Sequence, residues 1–268
     1  MNTKLVLITG AGSGIGLHLA QTLQKKDHSL LLIDLNLASL KLHFSESVDL
    51  QFFAGDISKA ETWKEITQLI HHQRLQVSHL FNCAGVIKPG FVRDLELADI
   101  DYHLDVNTKG SILGIKTLAD LMKHQGFGHV VTISSLAGLA PISGLSLYCA
   151  SKFAIRGFSL AAAAEYRQFG VKISVVCPDL VATPMLDLQL EYPDESKLSF
   201  SGDAKVLQPA DVTAALVRLM AKPKDMICIP ESRGLLSKIA GIWPAVGELF
   251  RKNLEKKGVE SIKKFRTG

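Results

Sequence analysis

A doubly wound α/β fold is what this 268-residue chain predicts: one domain on a parallel sheet of about seven strands, with helices on both faces. Three observations lead there. Short apolar, β-branched runs alternate with longer stretches of helical periodicity. The runs are continuously apolar rather than alternating, as strands covered on both faces must be. The first run closes on a glycine-rich turn that opens a helix.

In chain order the expected strands are LVLIT (5–9), SLLLID (29–34), LQFFAG (50–55), HLFNCAG (79–85), HVVTISS (129–135), VKISVVC (171–177) and DMICIP (225–230). Amphipathic stretches at 14–26, 59–72, 96–124, 147–169 and 209–221 supply the helices between them. Right-handed crossovers then assemble the sheet. Two segments break this rhythm. Residues 184–207 have little periodicity and read as a long loop, a lid or binding loop rather than an ordinary surface insertion. The tail, 231–268, mixes apolar and basic residues at helical spacing. No linker divides the chain, so 1–230 is expected to form one domain, and 231–268 to be a helical extension of the same domain.

Charge narrows the partners. The tail holds nine Lys or Arg against four Glu, a net of +5 within a total of +4, which leaves the rest of the chain at −1. A local basic bias of this kind gives no case for nucleic acid. Cys83, Cys149, Cys177 and Cys228 form no metal or CxxC spacing and read as small buried residues in a reducing compartment. His71 and His72 lie in a polar helical stretch without a third ligand, so no metal is expected. The N-terminal apolar run is too short for a signal peptide and no run reaches the ~18 residues of a membrane span; a cytoplasmic protein is expected.

Gly10, Gly12, Gly14 and Gly16 lie between a strand and a helix. Glycine permits the tight turn and close approach of an anionic ligand, and the helix N-terminus offers free N–H groups. Asp34, twenty-two residues after Gly12, ends the second strand. Its carboxylate can accept from adenosine ribose hydroxyls and would repel a 2′-phosphate, so NAD is expected over NADP; the alternative is a cap on the next short helix.

Tyr148 and Lys152 are one helical turn apart and share a face. An ammonium there is expected to stabilise the phenolate and bring the tyrosine pKa down from about 10, making Tyr148 an acid–base group. Ser134 and Ser135 end a strand at the carboxyl edge of the sheet, where ligands bind in such folds, and the residues alone do not choose between them.

TGAGSGIG (9–16), NCAG (82–85), Asn107, Ser135, Tyr148 and Lys152, in this order and spacing, resemble the short-chain dehydrogenase/reductase family over residues 3–230. The resemblance implies a Rossmann fold and an oxidoreductase acting on a secondary alcohol or ketone. It selects Ser135, thirteen residues before Tyr148, to hold the substrate oxygen. It gives Lys152 the nicotinamide ribose, and Asn107 a water relaying protons to Lys152; a helix kink is the bland reading of Asn107. It assigns cofactor contacts to Gly10, Gly12, Ser13, Gly14, Ile15, Gly16, Asp34, Asp56, Ile57, Asn82, Ala84, Gly85, Tyr148, Lys152, Pro178, Val181 and Thr183. Asp56 would face the adenine, or else cap the next helix. Two positions depart from the family: Cys83 where Asn is usual, and Asp179 where Gly is usual. Arg156 is expected at a surface or interface.

The tail lacks the family's usual short ending, which puts a standard tetramer in doubt; a homodimer or other homo-oligomer is expected. Leu235, Leu236, Ile239, Ile242, Trp243 and Phe250 can pack over the cleft or against a subunit, or else dock on lipid; packing is the expected outcome. Either way the substrate is expected to be hydrophobic. The competing readings are an NADP-linked carbonyl reductase and a non-catalytic nucleotide-binding scaffold, which the intact Ser135–Tyr148–Lys152 set disfavours.

Overall fold

All seven strands lie parallel in one sheet of order β3-β2-β1-β4-β5-β6-β7. The structure, a computed structural model, describes residues 4–202 and 206–267. Strands β1 (Leu5–Thr9), β2 (Leu30–Asp34), β3 (Leu50–Ala54), β4 (Val77–Asn82), β5 (Gly128–Ile133), β6 (Val171–Pro178) and β7 (Met226–Ile229) match the apolar runs to within a few residues. Helices α1 (Gly14–Gln24), α2 (Leu37–His43), α3 (Ala60–His72), α4 (Leu97–His103), α5 (Ser111–Gln125) and α6 (Ser146–Tyr166) follow the strands in turn. The later helices are α7 (Pro184–Glu191), α8 (Pro193–Ser196), α9 (Pro209–Ala221), α10 (Glu231–Ile242) and α11 (Pro244–Thr267).

Alternate side chains of the strands feed two cores. Leu7, Leu31, Leu80 and Val130 meet Trp63, Ile115 and Ile155 of α3, α5 and α6 on one face. Val6, Ile8, Leu32 and Val131 meet Leu19, Leu23 and Leu216 of α1 and α9 on the other. Each fully buried Leu or Ile contributes about 1.5–3 kcal/mol, which is why the strands are apolar on both sides.

Two expectations change. Residues 184–207 are largely helical where described: α7 and α8 each open on a proline, and a 3₁₀ turn follows at Ser199–Ser201. Proline suits a first helical turn and breaks the segment into pieces too short to show a period. Residues 203–205 lie outside the described set. The stretch 96–124 is not one regular helix, because Leu104–Gly110 between α4 and α5 is a π segment that includes Asn107. Such segments recur at functional sites.

The tail packs with its small residues. A Cβ on Gly234 would strike the Cys228 side chain, and one on Gly241 the Leu139 carbonyl. On α11, Gly258 lies against the Lys197 carbonyl and Ile262 is buried with Leu186 and Phe200. These close approaches set α10 against β7 and the turn after β5, and α11 against the end of α8.

Candidate active site

A cleft of about 1300 Å³ runs along the carboxyl ends of the strands. That exceeds the roughly 300–1,000 Å³ of a usual small-molecule pocket and leaves room for a dinucleotide with a second molecule. One end begins at the glycine turn. Gly10 (φ +66°) and Gly14 (φ +54°) adopt left-handed backbone, and a Cβ on Gly10 would come within 2.7 Å of the Ala84 Cα. Ser13 is the N-cap of α1 but makes no side-chain cap bond, so that side chain leaves the first-turn N–H groups open to an anion.

Asp34 lines the same end. Its Oδ2 accepts from the Gly12 N–H at 2.8 Å and its Oδ1 from the Asn36 N–H at 3.1 Å. It does not cap α2: Asn36 does, accepting from the Ala38 N–H at 2.9 Å. Asp56 does not cap α3 either. Its carboxylate turns back to the Ser58 N–H at 2.9 Å, and it borders the cleft beside Ile57.

At the other end Tyr148 and Lys152 sit a turn apart on α6, both buried. The Lys152 ammonium donates to the Ile133 carbonyl at 3.1 Å and lies 5.5 Å from the centre of the Tyr148 ring. The adjacent serines separate here. Ser134 donates its hydroxyl to the Lys152 carbonyl at 2.9 Å, tying β5 to α6. Ser135 accepts from the Ala137 N–H at 3.1 Å and stands beside the Tyr148 phenol.

The electrostatics correct one expectation. Burial drives the Tyr148 pKa up to about 12, and the Ser135 hydroxyl only partly opposes it. Burial also brings Lys152 down to about 8. In the protein alone burial is the largest cause for both groups and moves each toward its neutral form, yet at about 8 Lys152 is still mostly an ammonium at pH 7 while Tyr148 is a neutral phenol.

Four expected residues do not border the cleft. Gly12 spends its N–H on Asp34, and Gly16 packs on the Gly10 carbonyl. Asn82 is buried, its amide reaching Ser111 and Thr132 at 3.4 Å. Asn107 clamps the loop after β4: its Oδ1 accepts from the Val86 N–H at 2.8 Å and its Nδ2 donates to the Val86 carbonyl at 2.9 Å and to Ser151 Oγ at 3.0 Å. These are positioning contacts. The remaining expected residues, Gly10, Ser13, Gly14, Ile15, Ala84, Gly85, Pro178, Val181 and Thr183, all line the cleft.

Other contributors had no signal of their own. Thr9 accepts from the Cys83 and Ala84 N–H groups at 3.1 and 3.2 Å and fixes the NCAG turn. Ile87, Ile142, Leu145, Met185 and Leu188 pack around Tyr148, and Leu236 also lines the cleft, so its wall is drawn from four separate segments. Cys83 lines the cleft as a thiol pushed up to about 12 by burial, hence unreactive. Arg156 sits over the Phe153 ring rather than in the cleft. His71 and His72 are exposed at the end of α3.

Asp179 pairs with Arg233 of α10, Oδ2 to Nε at 2.8 Å, both about a quarter exposed. Burial raises the Asp179 pKa and Arg233 opposes that rise. The pair ties the tail to the segment following β6. Arg233→Ala should therefore cost about 2 kcal/mol in urea unfolding, between exposed and buried pairs. Asp179→Gly should remove most of that penalty; equal losses in the single variant and the double variant would refute the coupling.

The fold and the site define a nicotinamide-dependent oxidoreductase. The family model described as short chain dehydrogenase matches residues 4–192, and the chain belongs to that family. It is similar to cyclopentanol dehydrogenase from Comamonas sp., at 26% identity over 85% of this chain and 93% of that protein. It is similar to human epidermal retinol dehydrogenase 2, at 33% identity over 69% of this chain and 62% of that protein. Among solved structures, ElxO with NADP bound matches at 25% identity and TM-score 0.75, over 85% of this chain and 97% of that one. The chain is an enzyme acting on alcohols or ketones.

Proposed function

We propose that the enzyme transfers hydride between NAD(H) and a hydrophobic secondary alcohol or ketone, with Tyr148 as acid–base group. The observation that carries this reading is the convergence of Ser135, Tyr148 and Lys152 on one end of a cleft whose other end is the glycine turn. The residues present fit a dinucleotide: open N–H groups at α1, close-packed glycines around them, and the Asp34 carboxylate beyond. When bound, the nicotinamide supplies the hydride acceptor or donor.

The chain's own part is to hold one oxygen and move one proton. Ser135 Oγ and Tyr148 Oη hold the substrate oxygen. In reduction the phenol gives its proton to that oxygen; in oxidation the phenolate takes it. Lys152 holds the nicotinamide ribose and, through its ammonium, favours the phenolate. Asn107 keeps the Gly85–Val86 turn in place against Lys152, and a proton relay through a water at Asn107 belongs to the same reading.

NAD over NADP rests on Asp34. A 2′-phosphate would meet a carboxylate whose next residue is Leu35, with no basic side chain to offset it. NAD should bind tighter than NADP by titration, and Asp34→Ala should cut that preference at least tenfold; tighter NADP binding by the unmutated protein would overturn the assignment. The apolar walls support a hydrophobic substrate, in keeping with the names of the cyclopentanol and retinol relatives. A screen of secondary alcohols for NADH formation tests it, and turnover of small polar sugars alone would refute it. A homo-oligomer in the cytoplasm completes the reading, checked by light scattering and fractionation.

A further inference from the structure

Helix α10 is amphipathic the wrong way round for a packed helix. Its small residues, Gly234 and Gly241, face the protein. Its large apolar residues, Leu235, Leu236, Ile239 and Ile242, with Trp243 just beyond, recur at i, i+1, i+4, i+7 and i+8 and form one stripe. That stripe points outward: Leu235 is 60% exposed, Ile242 69% and Trp243 61%. Leu249 and Phe250 at the start of α11 are exposed as well. A contiguous apolar patch of this kind on a protein surface marks a docking site.

We infer that this stripe docks on the surface of an anionic phospholipid bilayer. Charge supports that occupant: the tail carries +5 while the rest of the chain is −1. Lys238 flanks the stripe on α10, and Lys252 and Lys256 are exposed along α11. Large apolar and aromatic residues bordered by lysines suit a helix lying in the headgroup boundary. A second copy of the chain fits less well, because two +5 tails would face each other. It would also close the cleft, since Leu236, Ile239 and Phe250 belong to both the stripe and the cleft lining. Against lipid those same side chains set the mouth of the cleft facing the acyl region. An apolar alcohol or ketone then passes from bilayer to cleft without crossing water; this last step alone rests on the proposed function.

The full chain is mixed with vesicles of phosphatidylcholine containing phosphatidylglycerol, or of phosphatidylcholine alone, and floated on a density gradient. Binding is expected to the anionic vesicles, weakened by salt and at least tenfold lower on the neutral ones. Trp243 reports directly: the chain has two tryptophans and Trp63 is fully buried, so a blue shift on vesicle addition belongs to Trp243. The variant Leu235→Ser/Ile242→Ser/Trp243→Ser changes exposed residues outside the cleft lining. It is expected to lose vesicle binding at least tenfold while keeping turnover of a water-soluble secondary alcohol. Wild-type protein that stays unbound, or a triple variant that floats equally well, would overturn the inference. So would a wild-type dimer that ignores vesicles and becomes monomeric in the triple variant, which would assign the stripe to a second copy. A protein that floats yet oxidises no alcohol would leave the docking intact and sink only the proposed function.

Discussion

Tyr148→Phe should lower kcat for alcohol oxidation by about 10²–10⁴-fold, the usual contribution of a positioned acid–base group, and leave NAD binding unchanged. The hydroxyl is the only atom removed, and the buried ring keeps its packing with Ile87, Leu145 and Cys149. The pH dependence follows from the same group. Oxidation needs the phenolate, and burial sets the phenol at about 12 in the protein alone. The positive charge of the oxidised nicotinamide acts to lower that value. Below it, the phenolate fraction and kcat/KM should rise with pH on an alkaline limb. Ketone reduction needs the neutral phenol and should lack that rise. The limb should vanish in Tyr148→Phe. Residual turnover close to wild type would remove Tyr148 from the chemistry.

The second large effect is acid instability set at the opposite edge of the sheet. His79 of β4 and His129 of β5 are cross-strand partners with ring centres 5.6 Å apart. Both pKa values are depressed chiefly by burial, to about 4 for His79 and about 3 for His129, with neighbouring positive charge adding to the effect. The His129 Nε2 meets Ser174 Oγ at 2.8 Å. Unfolded, both rings protonate near 6.5. Their contribution to stability is complete above that value and is lost as pH falls from 6.5 toward the folded values, where the unfolded chain binds more protons. Two such groups give a slope that steepens toward about 3 kcal/mol per pH unit as pH falls below 6.5, and a loss of about 3 kcal/mol between pH 6.5 and 5. Urea unfolding across that range should show it. His129→Gln, measured against the wild type, should roughly halve the slope, whatever its cost at pH 7. A slope that does not change would assign the acid lability to other groups.

Much of this protein was legible because its strands are buried on both sides. Continuous apolar runs such as Leu30–Ile33 leave few alternatives, and Gly10 through Gly16 fix where the first crossover begins. Asp34, Tyr148 and Lys152 were legible through spacing, since strand ends and helix turns convert sequence distance into proximity, whereas Ser135 was chosen over Ser134 only through the family resemblance. The 184–201 helices were not, because two prolines divide them into units shorter than a clear period. Burial was not legible either. The spacing of Tyr148 and Lys152 shows that they share a face but not that both are buried, and burial is the largest cause of the upward shift of the phenol and the downward shift of the ammonium. The cleft wall joins residues as far apart as Ile87 and Leu236, a proximity that no local pattern encodes. On α10 the stripe was visible in the sequence, but which side met the protein depended on Gly234 and Gly241 fitting where larger residues could not.

Strand β1 pairs with β2 on one side and β4 on the other, in the register Thr9↔Asn82. That topology has a consequence for the chain as it leaves the ribosome. Strand β1 emerges before β4, and its second backbone edge stays bare until more than seventy further residues have been translated. Throughout that interval the nascent polypeptide presents an unpaired edge of Leu5–Thr9 as a template for foreign strands. Shielding by a chaperone is therefore most valuable before β4 appears, and the pairing that completes the centre of the sheet is a late, long-range event in biosynthesis.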